Sequence, residues 1–413
     1  MENIEKIKEM ANWCLGCKIK PCSKGCPMNT NIPEFINEIK NDNYDKAYNI
    51  LIENNIFSHI CSRVCPQEDQ CEGSCIRGIK QTPTQIGKLE RFVNEWAEDQ
   101  KIKVDIKVKE DNNKKVAIIG SGPAGLECAY ELRKNGFQVT IYEKDEEFGG
   151  ILRYGIPDFR LEKEKIDSII DLLKNIGVQF INKKTFGKDI TIKELKDEYD
   201  AVFIGIGAEK PTLYSLGEFD KIYDSDTFLR AYNNKEFIKD LGKTVIIGGG
   251  NVAMDSARAA VKMGASEVAI LYRRDKEHMP AREIELEEAL QEGVKDVFLT
   301  RVIKGIGENG KLEKLECIKT EVVDSKAIDV VNSEFTYDAD SVVFAIGLKP
   351  NRELIENQGI KLNDWGLIEV DENGETNIEN VYAGGDTMES KSTVCRALSS
   401  ARTAAFAIIN KFC

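Results

Sequence analysis

The sequence predicts an α/β protein in which a helical region comes first and two domains of alternating strands and helices follow. Three observations support this fold class. Eight of the 12 cysteines lie within residues 14–75, a region with amphipathic stretches at 32–39 and 44–52 and few strand signals. A charged connector follows at 107–115, and from residue 116 the chain runs through a strand, a glycine loop and a helix. That unit recurs about 128 residues later, which predicts two separate domains built on parallel sheets.

Composition limits the possible partners and location of the chain. Its 413 residues are enough for two or three domains with full cores. The net charge of −13 argues against nucleic acid or an anionic membrane as a partner. No run of about 18 apolar residues is present, so no membrane span is expected. The first residues are charged and lack the apolar core of a signal peptide, which predicts a cytoplasmic protein. Clustered cysteines in that reducing compartment indicate metal or redox chemistry rather than disulfides.

The cysteines form two blocks with similar short spacings. The first block is Cys14-x2-Cys17-x4-Cys22-x3-Cys26-Pro27, and the second is Cys61-x3-Cys65-Pro66-x4-Cys71-x3-Cys75. Thiolates at these spacings, with a proline beside a cysteine, are typical of cubane iron–sulfur clusters, which carry single electrons. Two structural zinc sites are the alternative, because four-cysteine zinc sites use similar spacings.

The first glycine loop has the pattern of a dinucleotide-binding turn. An apolar strand at 116–119 runs into a G-x-G-x-x-G motif, and a second strand at 139–142 ends at Glu143, 18 residues after the last glycine. Glycines at these positions let a pyrophosphate approach the backbone at the N-terminus of the helix, and the carboxylate can bind ribose hydroxyls. The predicted contacts are Gly120, Gly122, Pro123, Ala124, Gly125 and Glu143.

The second glycine loop differs at the position that selects the coenzyme. A strand at 245–247 leads into G-x-G-x-x-A, but the strand at 268–272 ends at Arg273 and Arg274 instead of an acid. Guanidinium groups bind a 2′-phosphate that a carboxylate would repel, which favours NADPH. Arginines that only solvate the strand end are the alternative, and Asp275 follows directly, so NADH stays possible. The predicted coenzyme contacts are Gly248, Gly250, Asn251, Val252, Ala253, Arg273 and Arg274, with Arg282 as a weaker candidate. Gly347, after the strand at 341–346, is a further predicted cofactor contact.

These motifs, in this order, resemble one group of oxidoreductases. The resemblance rests on the two cysteine blocks and on GSGPAGL at 120–126, FGGILRYGIPDFRL at 148–161, IIGGGNVAMD at 246–255, LYRRDKEHMPA at 271–281 and AGGD at 383–386. The sequence is similar to the small subunit of glutamate synthase, to the N-terminal half of dihydropyrimidine dehydrogenase and to the large subunit of NADH-dependent ferredoxin:NADP oxidoreductase. The resemblance extends from about residue 14 to residue 407.

The resemblance implies a domain layout and two sets of cluster ligands. A helical domain at 1–112 would carry two [4Fe–4S] clusters. A Rossmann-like FAD domain in two parts, 113–240 and 346–413, would be interrupted by an NAD(P)H domain at 241–345. One cluster would be held by Cys14, Cys17, Cys22 and Cys75, and the other by Cys26, Cys65, Cys71 and Glu90. Cys61 is not a ligand in the family pattern, although spacing alone would include it.

The resemblance also extends the flavin site. The implied FAD contacts are Gly149, Gly150, Arg160, Gly385, Asp386 and Val64. A closing helix is predicted at 392–410, and its N-terminus near Thr393 would direct the positive end of the helix dipole toward the flavin. The sequence departs from its relatives at Val394-Cys395-Arg396, where they usually carry more apolar or small residues. Cys395 is then either a small buried apolar residue or a neighbour of the flavin.

The implied function is an NAD(P)H-oxidising iron–sulfur flavoprotein that feeds electrons to a partner. Hydride would pass from NADPH to FAD, and single electrons would then leave through the two clusters. No catalytic acid or base is assigned, because the implied work of the protein is to position these groups and tune their potentials, not to transfer protons. The expected partner is a separate reductase or synthase subunit, or ferredoxin, in a hetero-oligomer. The alternatives are the flavin subunit of a dihydropyrimidine dehydrogenase, the large subunit of a bifurcating ferredoxin:NADP oxidoreductase, and a redox-sensing or scaffold protein.

Overall fold

The computed structural model describes residues 4–390 and 393–413, which group into two units. The first unit contains the chain up to Leu152, then Arg160–Gly207 and Pro350–Cys413. The second unit contains Arg153–Phe159 and Ala208–Lys349. The chain therefore leaves the first unit and later returns to it.

The N-terminal part of the first unit is helical. Its helices are α1 (Ile4–Asn12), α2 (Pro21–Gly25), α3 (Ile32–Lys40), α4 (Tyr44–Asn54), α5 (Ser58–Val64) and α6 (Ile86–Asp99). Apolar residues three or four positions apart form one face of each longer helix, as Phe35, Ile36 and Ile39 do on α3. These faces pack into one core with Leu51 of α4 and Leu89 of α6, which are fully buried. Short 3₁₀ turns at Gln67–Asp69 and Ile76–Ile79 connect α5 to α6.

From residue 115 onward strands and helices alternate. The strands are β1 (Lys115–Ile119), β2 (Gln138–Tyr142), β3 (Gln179–Ile181), β4 (Ala201–Ile204), β5 (Lys210–Pro211), β6 (Ile222–Asp224), β7 (Lys243–Ile247), β8 (Glu267–Leu271), β9 (Lys295–Val297), β10 (Thr300–Glu308), β11 (Lys311–Val323), β12 (Lys326–Asp338), β13 (Ser341–Phe344), β14 (Leu348–Lys349) and β15 (Val381–Ala383). The helices are α7 (Pro123–Lys134), α8 (Ile151–Tyr154), α9 (Lys163–Asn175), α10 (Ile192–Glu198), α11 (Ser225–Asn233), α12 (Asn251–Lys262), α13 (Glu283–Gln291), α14 (Arg352–Glu356) and α15 (Val394–Phe412).

The first unit contains a five-stranded parallel sheet in the order β15-β4-β1-β2-β3. Val116 of β1 pairs with Val139 of β2 on one side and with Ala201 of β4 on the other. The last four residues of β1 are buried, as expected for a central strand that is covered on both faces. Helices α7 and α15 pack against each other beside this sheet. The carboxyl end of β1 and the N-terminus of α7 thus meet at the first glycine loop.

The second unit repeats this design and adds an antiparallel layer. Its five-stranded parallel sheet has the order β6-β13-β7-β8-β9, and a separate three-stranded sheet has the order β10-β11-β12. The three-stranded sheet was not predicted. In β10 and the start of β11, buried residues alternate only partly with exposed ones, and β12 is mostly exposed. Such strands lack the strong apolar runs that identified the parallel ones.

The predicted fold class is confirmed, with a helical N-terminal domain and two Rossmann-like domains. Each predicted strand and helix is present within a few residues of its predicted bounds. The closing helix, predicted at 392–410, is α15, and Ser392 lies outside the described residues. The exact domain boundaries stay a prediction. Among the helices the structure describes, none has the length and apolarity needed to span a membrane.

Candidate functional site

The first glycine loop leaves room for a ligand only where the motif predicts one. Gly120 has a φ of +98°, and a Cβ there would lie 2.5 Å from the carbonyl oxygen of Gly205. A Cβ on Gly125 would lie 1.9 Å from the carbonyl oxygen of Gly120, so only glycine allows this close turn. A Cβ on Gly122 would meet nothing within 4 Å. The space above Gly122, at the start of α7, is where a pyrophosphate can approach the backbone.

A buried carboxylate holds this loop in place. Glu143, at the end of β2, accepts hydrogen bonds from the backbone N–H of Ser121 (2.9 Å) and from its hydroxyl (2.5 Å). The Ser121 hydroxyl in turn accepts a hydrogen bond from the N–H of Gly149 (3.0 Å). Sequence reasoning predicted Glu143 as a ribose ligand but missed Ser121, which joins the carboxylate to the glycine pair. Gly150 packs so closely that its Cβ would lie 2.9 Å from the Cα of Gly122.

The C-terminal part of the chain reaches the same loop. Gly385 has a φ of +73°, and a Cβ there would lie 3.0 Å from the side chain of Ala124 in α7. Its N–H donates to the hydroxyl of Ser400 in α15 (2.8 Å). Asp386 lies in the same 3₁₀ turn, Gly385–Thr387. Thr393 caps α15 by accepting a hydrogen bond from the N–H of Arg396 (3.4 Å). The chain therefore brings two predicted FAD segments, 120–125 and 385–386, into contact.

Arg160 and Val64 complete the predicted FAD contacts. Arg160 is half-buried in the turn before α9, and Val64 is buried at the end of α5. The open backbone at Gly122 and the helix N-terminus beside it fit the phosphates of a dinucleotide. The individual flavin contacts stay predictions.

In the second glycine loop, as in the first, one glycine packs closely against the backbone and another has open space beside it. A Cβ on Gly248, whose φ is +153°, would lie 2.2 Å from the carbonyl oxygen of Ala345, whereas a Cβ on Gly250 would meet nothing within 4 Å. Helix α12 begins at Asn251, whose side-chain oxygen accepts a hydrogen bond from the N–H of Arg282 (3.0 Å). Of the next two residues, Val252 is exposed and Ala253 is buried. The open backbone at Gly250 therefore fits the pyrophosphate of the coenzyme.

In the loop after β8, the two arginines and the acid Asp275 have different surroundings. Arg273 is exposed, and Arg274 donates to the hydroxyl of Tyr272 (2.8 Å). Asp275 instead accepts hydrogen bonds from the N–H of His278 (3.0 Å) and contacts its ring nitrogen Nδ1 (2.7 Å). The hydrogen bond to the His278 side chain contributes most to the lowered pKa of Asp275. Gly347 has a φ of +109° with open space around it.

The first cysteine cavity contains one predicted ligand set. Cys14, Cys17, Cys22 and Cys75 line a single cavity in the helical region, and apolar side chains such as Ile36 form its wall. Cys22 is buried, while the other three thiols are partly exposed. Burial raises the pKa of Cys22 to about 11. Four soft thiolate donors in an apolar wall suit an iron–sulfur cluster.

The second cysteine cavity contains the other predicted set. Cys26, Cys65, Cys71 and Glu90 line it together with two further thiols, Cys61 and Cys395. Burial raises the pKa of Glu90 to about 8, against the hydrogen bond that its carboxylate accepts from the hydroxyl of Ser58 (2.8 Å). Burial likewise raises the pKa of Cys71 well above its usual value. The ligand roles in both cavities stay predictions, but the structure brings each set together.

Polar side chains beside the second cavity were missed by sequence reasoning. Asn55 donates to the sulfur of Cys61 (3.3 Å), and Cys395 donates to the side-chain oxygen of Gln70 (3.1 Å). Hydrogen bonding between Cys65 and Cys395 is the main cause of two opposite shifts. It raises the pKa of Cys65 well above its usual value and lowers the pKa of Cys395 to about 7. No sequence signal links these residues, because Gln70 and Cys395 are far apart in the chain.

The two cavities are neighbours. Ile32 and Ile86 line both of them, so only these side chains and their surroundings separate the two predicted ligand sets. Within the described residues, no three His, Cys, Asp or Glu side chains are grouped closely enough to hold a single metal ion.

Comparison with known proteins assigns a family to each of the two parts of the chain. Residues 114–405 match the pyridine nucleotide-disulphide oxidoreductase family, and residues 2–102 match the 4Fe–4S domain II of dihydropyrimidine dehydrogenase. The chain is 33% identical to the glutamate synthase [NADPH] small chain of Escherichia coli K12, over 98% of this chain and 91% of the relative. It is also 33% identical to the NADPH-Fe(3+) oxidoreductase subunit beta of Geobacter sulfurreducens, over 93% of this chain but only 62% of that longer protein.

The solved structures support the fold. FprA from Mycobacterium tuberculosis, determined in complex with NADPH, superimposes with a TM-score of 0.62 at 20% identity, covering 72% of this chain and 84% of FprA. The match to a 4Fe–4S domain favours iron–sulfur clusters over the two zinc sites that the cysteine spacing also allowed. The oxidoreductase match likewise disfavours a role as a scaffold alone. The chain belongs to the family of glutamate synthase small chains, and it is an NAD(P)H-dependent oxidoreductase that uses FAD and two [4Fe–4S] clusters.

Proposed function

We propose that this protein is the electron-input subunit of a larger complex, taking electrons from NADPH and delivering them singly to a partner protein. One observation supports this proposal above the others. Two adjoining cavities, each lined by a complete predicted ligand set, lie in the same unit as the first glycine loop. A reductase that acted only on a small substrate at its flavin would have no use for two adjoining clusters.

The residues of this chain would bind and position FAD, the coenzyme and the clusters. FAD and the clusters, when bound, supply the conversion of a two-electron hydride into single electrons. Glu143 and Ser121 fix the glycine loop, so the backbone at Gly122 is already shaped to receive a pyrophosphate. Burial shields most thiols of the second cavity from water, and Ser58 and Asn94 orient Glu90. No side chain is assigned a proton-transfer role.

The arrangement of the thiols suggests the order of electron flow. The second cavity includes Cys395 of α15, the helix whose N-terminus is predicted to face the flavin. The first cavity has three partly exposed thiols and lies closer to solvent. We therefore propose that electrons reach the cluster in the second cavity before the cluster in the first cavity. They would then leave the protein from the first cavity.

The loop after β8 supports the preference for NADPH. Asp275 is the acid that could bind a ribose hydroxyl of NADH, but its carboxylate is engaged by His278. Arg273 is exposed next to it, where its guanidinium can meet a 2′-phosphate. The relatives from Escherichia coli and Geobacter sulfurreducens are named as NADPH enzymes, in line with this proposal.

Stopped-flow reduction of the bound flavin tests the coenzyme preference. The wild-type protein is expected to react faster at low NADPH than at equal NADH. Replacing both Arg273 and Arg274 by Ala should lower the preference for NADPH about 10-fold to 100-fold, because a charge-assisted hydrogen bond contributes about 1.5–3 kcal/mol. Arg301→Ala is the matched control, because Arg301 forms an exposed ion pair with Asp329 on the antiparallel sheet. A wild-type preference for NADH would contradict the proposal.

The partner is proposed only by class. The named relatives include small and beta subunits of oxidoreductases, which supports a hetero-oligomer. We propose a synthase or reductase subunit, or ferredoxin, as the acceptor, in the cytoplasm, where thiols stay reduced. Anaerobic affinity purification of the tagged chain from its host, followed by mass spectrometry, tests this class. A stoichiometric oxidoreductase subunit would support it, and a chain that purifies alone would leave ferredoxin as the acceptor to assay.

A further inference from the structure

The segments around the first cysteine cavity carry an unusual charge pattern. Residues 13–33 and 73–88 contain six basic residues and no acidic residue, in a chain that has 70 acidic and 57 basic residues. The six are Lys18, Lys20, Lys24, Arg77, Lys80 and Lys88. Both segments contribute to the wall of the same cavity, so this positive charge is concentrated around it. The rest of the chain is correspondingly more acidic.

Two of the six basic residues have a partner within the domain. Lys20 forms an ion pair with Glu34, and the guanidinium of Arg77 lies 4.5 Å from the ring centroid of Trp13. Lys18, Lys24 and Lys80 are exposed, and no ion pair involves them among residues 4–390 and 393–413. Their charge is therefore directed to solvent and is available to an approaching molecule.

Large apolar side chains are exposed in the same two segments. Leu15 is 64% exposed, Ile19 66%, Ile76 39% and Ile79 78%. Leu15 and Ile76 also line the first cavity, next to Cys14 and Cys75. An exposed apolar group with a polar rim is the usual form of a protein-binding surface. We call these four apolar residues and the exposed Lys18, Lys24 and Lys80 the cluster-1 surface.

We propose that the cluster-1 surface docks the acidic face of an electron-accepting protein, so that single electrons leave from the first cavity. This inference rests on the proposed function, and it adds the docking surface around the exit site and the charge of the partner. The lysines would attract the acidic face, and the four apolar side chains would exclude water at the contact. The thiols of the second cavity are mostly buried, so they are less accessible to a partner protein than those of the first cavity.

Two forms of one acceptor protein test the charge of the partner. Native cytochrome c is strongly basic, and succinylated cytochrome c carries the same haem on an acidic surface. Oxidation of one NADPH to NADP⁺ and H⁺ supplies two electrons, which reduce two ferric haems to ferrous haems. We expect the loaded protein to reduce the succinylated form with a kcat/KM at least about 10-fold higher at about 0.01 M salt. The advantage should disappear at about 1 M salt, because screening then acts within about 3 Å.

Charge reversal locates the effect on the protein. Lys24→Glu combined with Lys80→Glu should remove the preference for the acidic cytochrome, while the rate of flavin reduction by NADPH and the EPR signals of both clusters stay unchanged. The matched control combines Lys188→Glu with Lys193→Glu, which makes the same charge change on exposed residues of the first unit outside residues 13–88. Ile79→Ser tests the apolar part, and Val331→Ser, at a residue that is 80% exposed, is its control.

The outcomes separate this inference from the proposed function. If NADPH fails to reduce the flavin, the proposed function is wrong. If flavin and clusters are reduced but the two cytochromes react equally, or the native form reacts faster, the docking proposal is overturned. It is also overturned if the control pair lowers the rate as much as the Lys24 and Lys80 pair. Loss of the preference in that pair alone, with a raised KM and intact clusters, supports it.

Discussion

The two cysteine cavities have similar sequence motifs but different environments. The first is lined by four cysteines, three of them partly exposed, and it opens toward a basic surface. The second has three predicted thiolate ligands and one carboxylate, and it is surrounded by buried polar side chains and by a thiol from the last helix. The donor type and the hydrogen bonds around a cluster set its reduction potential. Two clusters from similar motifs can therefore differ in potential and in their access to a partner.

The two cavities also differ in which parts of the chain form them. Residues 14–36 and 75–86 supply the whole lining of the first cavity. The second joins α5, α6 and α15, whose residues come from opposite ends of the chain. Loading of the second cluster should therefore depend on folding of the flavin domain, whereas loading of the first should depend on the N-terminal helices.

Removal of a predicted thiolate ligand should have the largest effect. Cys71→Ala is expected to lower the iron content from about eight to about four atoms per chain, because one [4Fe–4S] cluster is lost. Reduction of protein acceptors should then fall strongly while NADPH still reduces the flavin. Metal analysis and stopped-flow absorbance measure both effects. Cys128→Ala is the control, since Cys128 is fully buried in α7 and lines neither cavity. Unchanged iron in Cys71→Ala would contradict the ligand assignment.

Replacement of the carboxylate should affect one cluster only. Glu90→Ala removes an oxygen donor from the second cavity, so the EPR signal of that cluster should change or disappear while the other signal stays. The same measurement on Ser58→Ala should show a smaller change, because Ser58 only orients the carboxylate. If both signals survive Glu90→Ala unchanged, Glu90 is not a ligand.

His59, on α5 beside the second cavity, should make the folded protein less stable in acid. Burial is the main reason that the pKa of His59 falls to about 3, and the nearby positive charges of Arg63 and Lys165 add to it. In the unfolded chain the pKa is about 6.5, so only the unfolded state takes up a proton as the pH falls below that value. This contribution to stability is complete above about pH 6.5 and is lost progressively as the pH falls toward 3.

His59→Gln measures that contribution. Between pH 6.5 and pH 5 the wild-type protein should lose about 2 kcal/mol of unfolding free energy from this residue, because each pKa unit corresponds to about 1.4 kcal/mol. The variant should lose about that much less over the same range, as measured by urea unfolding under anaerobic conditions. His278→Gln is the control, since His278 is only partly buried and lies in a loop of the second unit. An equal pH dependence in His59→Gln and the wild-type protein would refute this explanation.

The smallest predicted effect is a change in reduction potential. When Cys65 is bound to a cluster as a thiolate it has no proton to donate, so the Cys395 thiol can turn its single proton from the Gln70 oxygen to the Cys65 sulfur and stabilise the reduced form. Cys395→Ala should lower the potential of the second cluster by about 40 mV, which corresponds to one hydrogen bond of about 1 kcal/mol. The first cluster should keep its potential. EPR-monitored redox titration measures both, and Cys317→Ala, in the second unit, serves as the control. A shift of the first cluster instead would reverse the assignment.

Local motifs explain why much of the fold was predictable. The glycine loops lie where a strand that is buried on both faces meets a helix, and the apolar runs of β1 and β7 marked both places. Gly122 and Gly250 have open space beside them. Gly125 and Gly248 each pack closely against a backbone carbonyl oxygen, as the motif requires. The antiparallel sheet of β10, β11 and β12 was missed, because its half-exposed strands show weak apolar patterns.

The sequence by itself determined the chemistry available to this protein: eight clustered thiols, two dinucleotide loops and a pair of arginines where an acid is usual. These features depend on spacings of a few residues, which local chain geometry fixes. Spacing along the chain did not decide which thiols share a cavity; the resemblance implied a crossed grouping, and only the tertiary structure brings those thiols together. It places Cys75 with the first block and Cys26 with the second, and it brings Cys395 to Gln70. Such contacts depend on the packing of distant helices, because burying their apolar faces sets where each side chain lies.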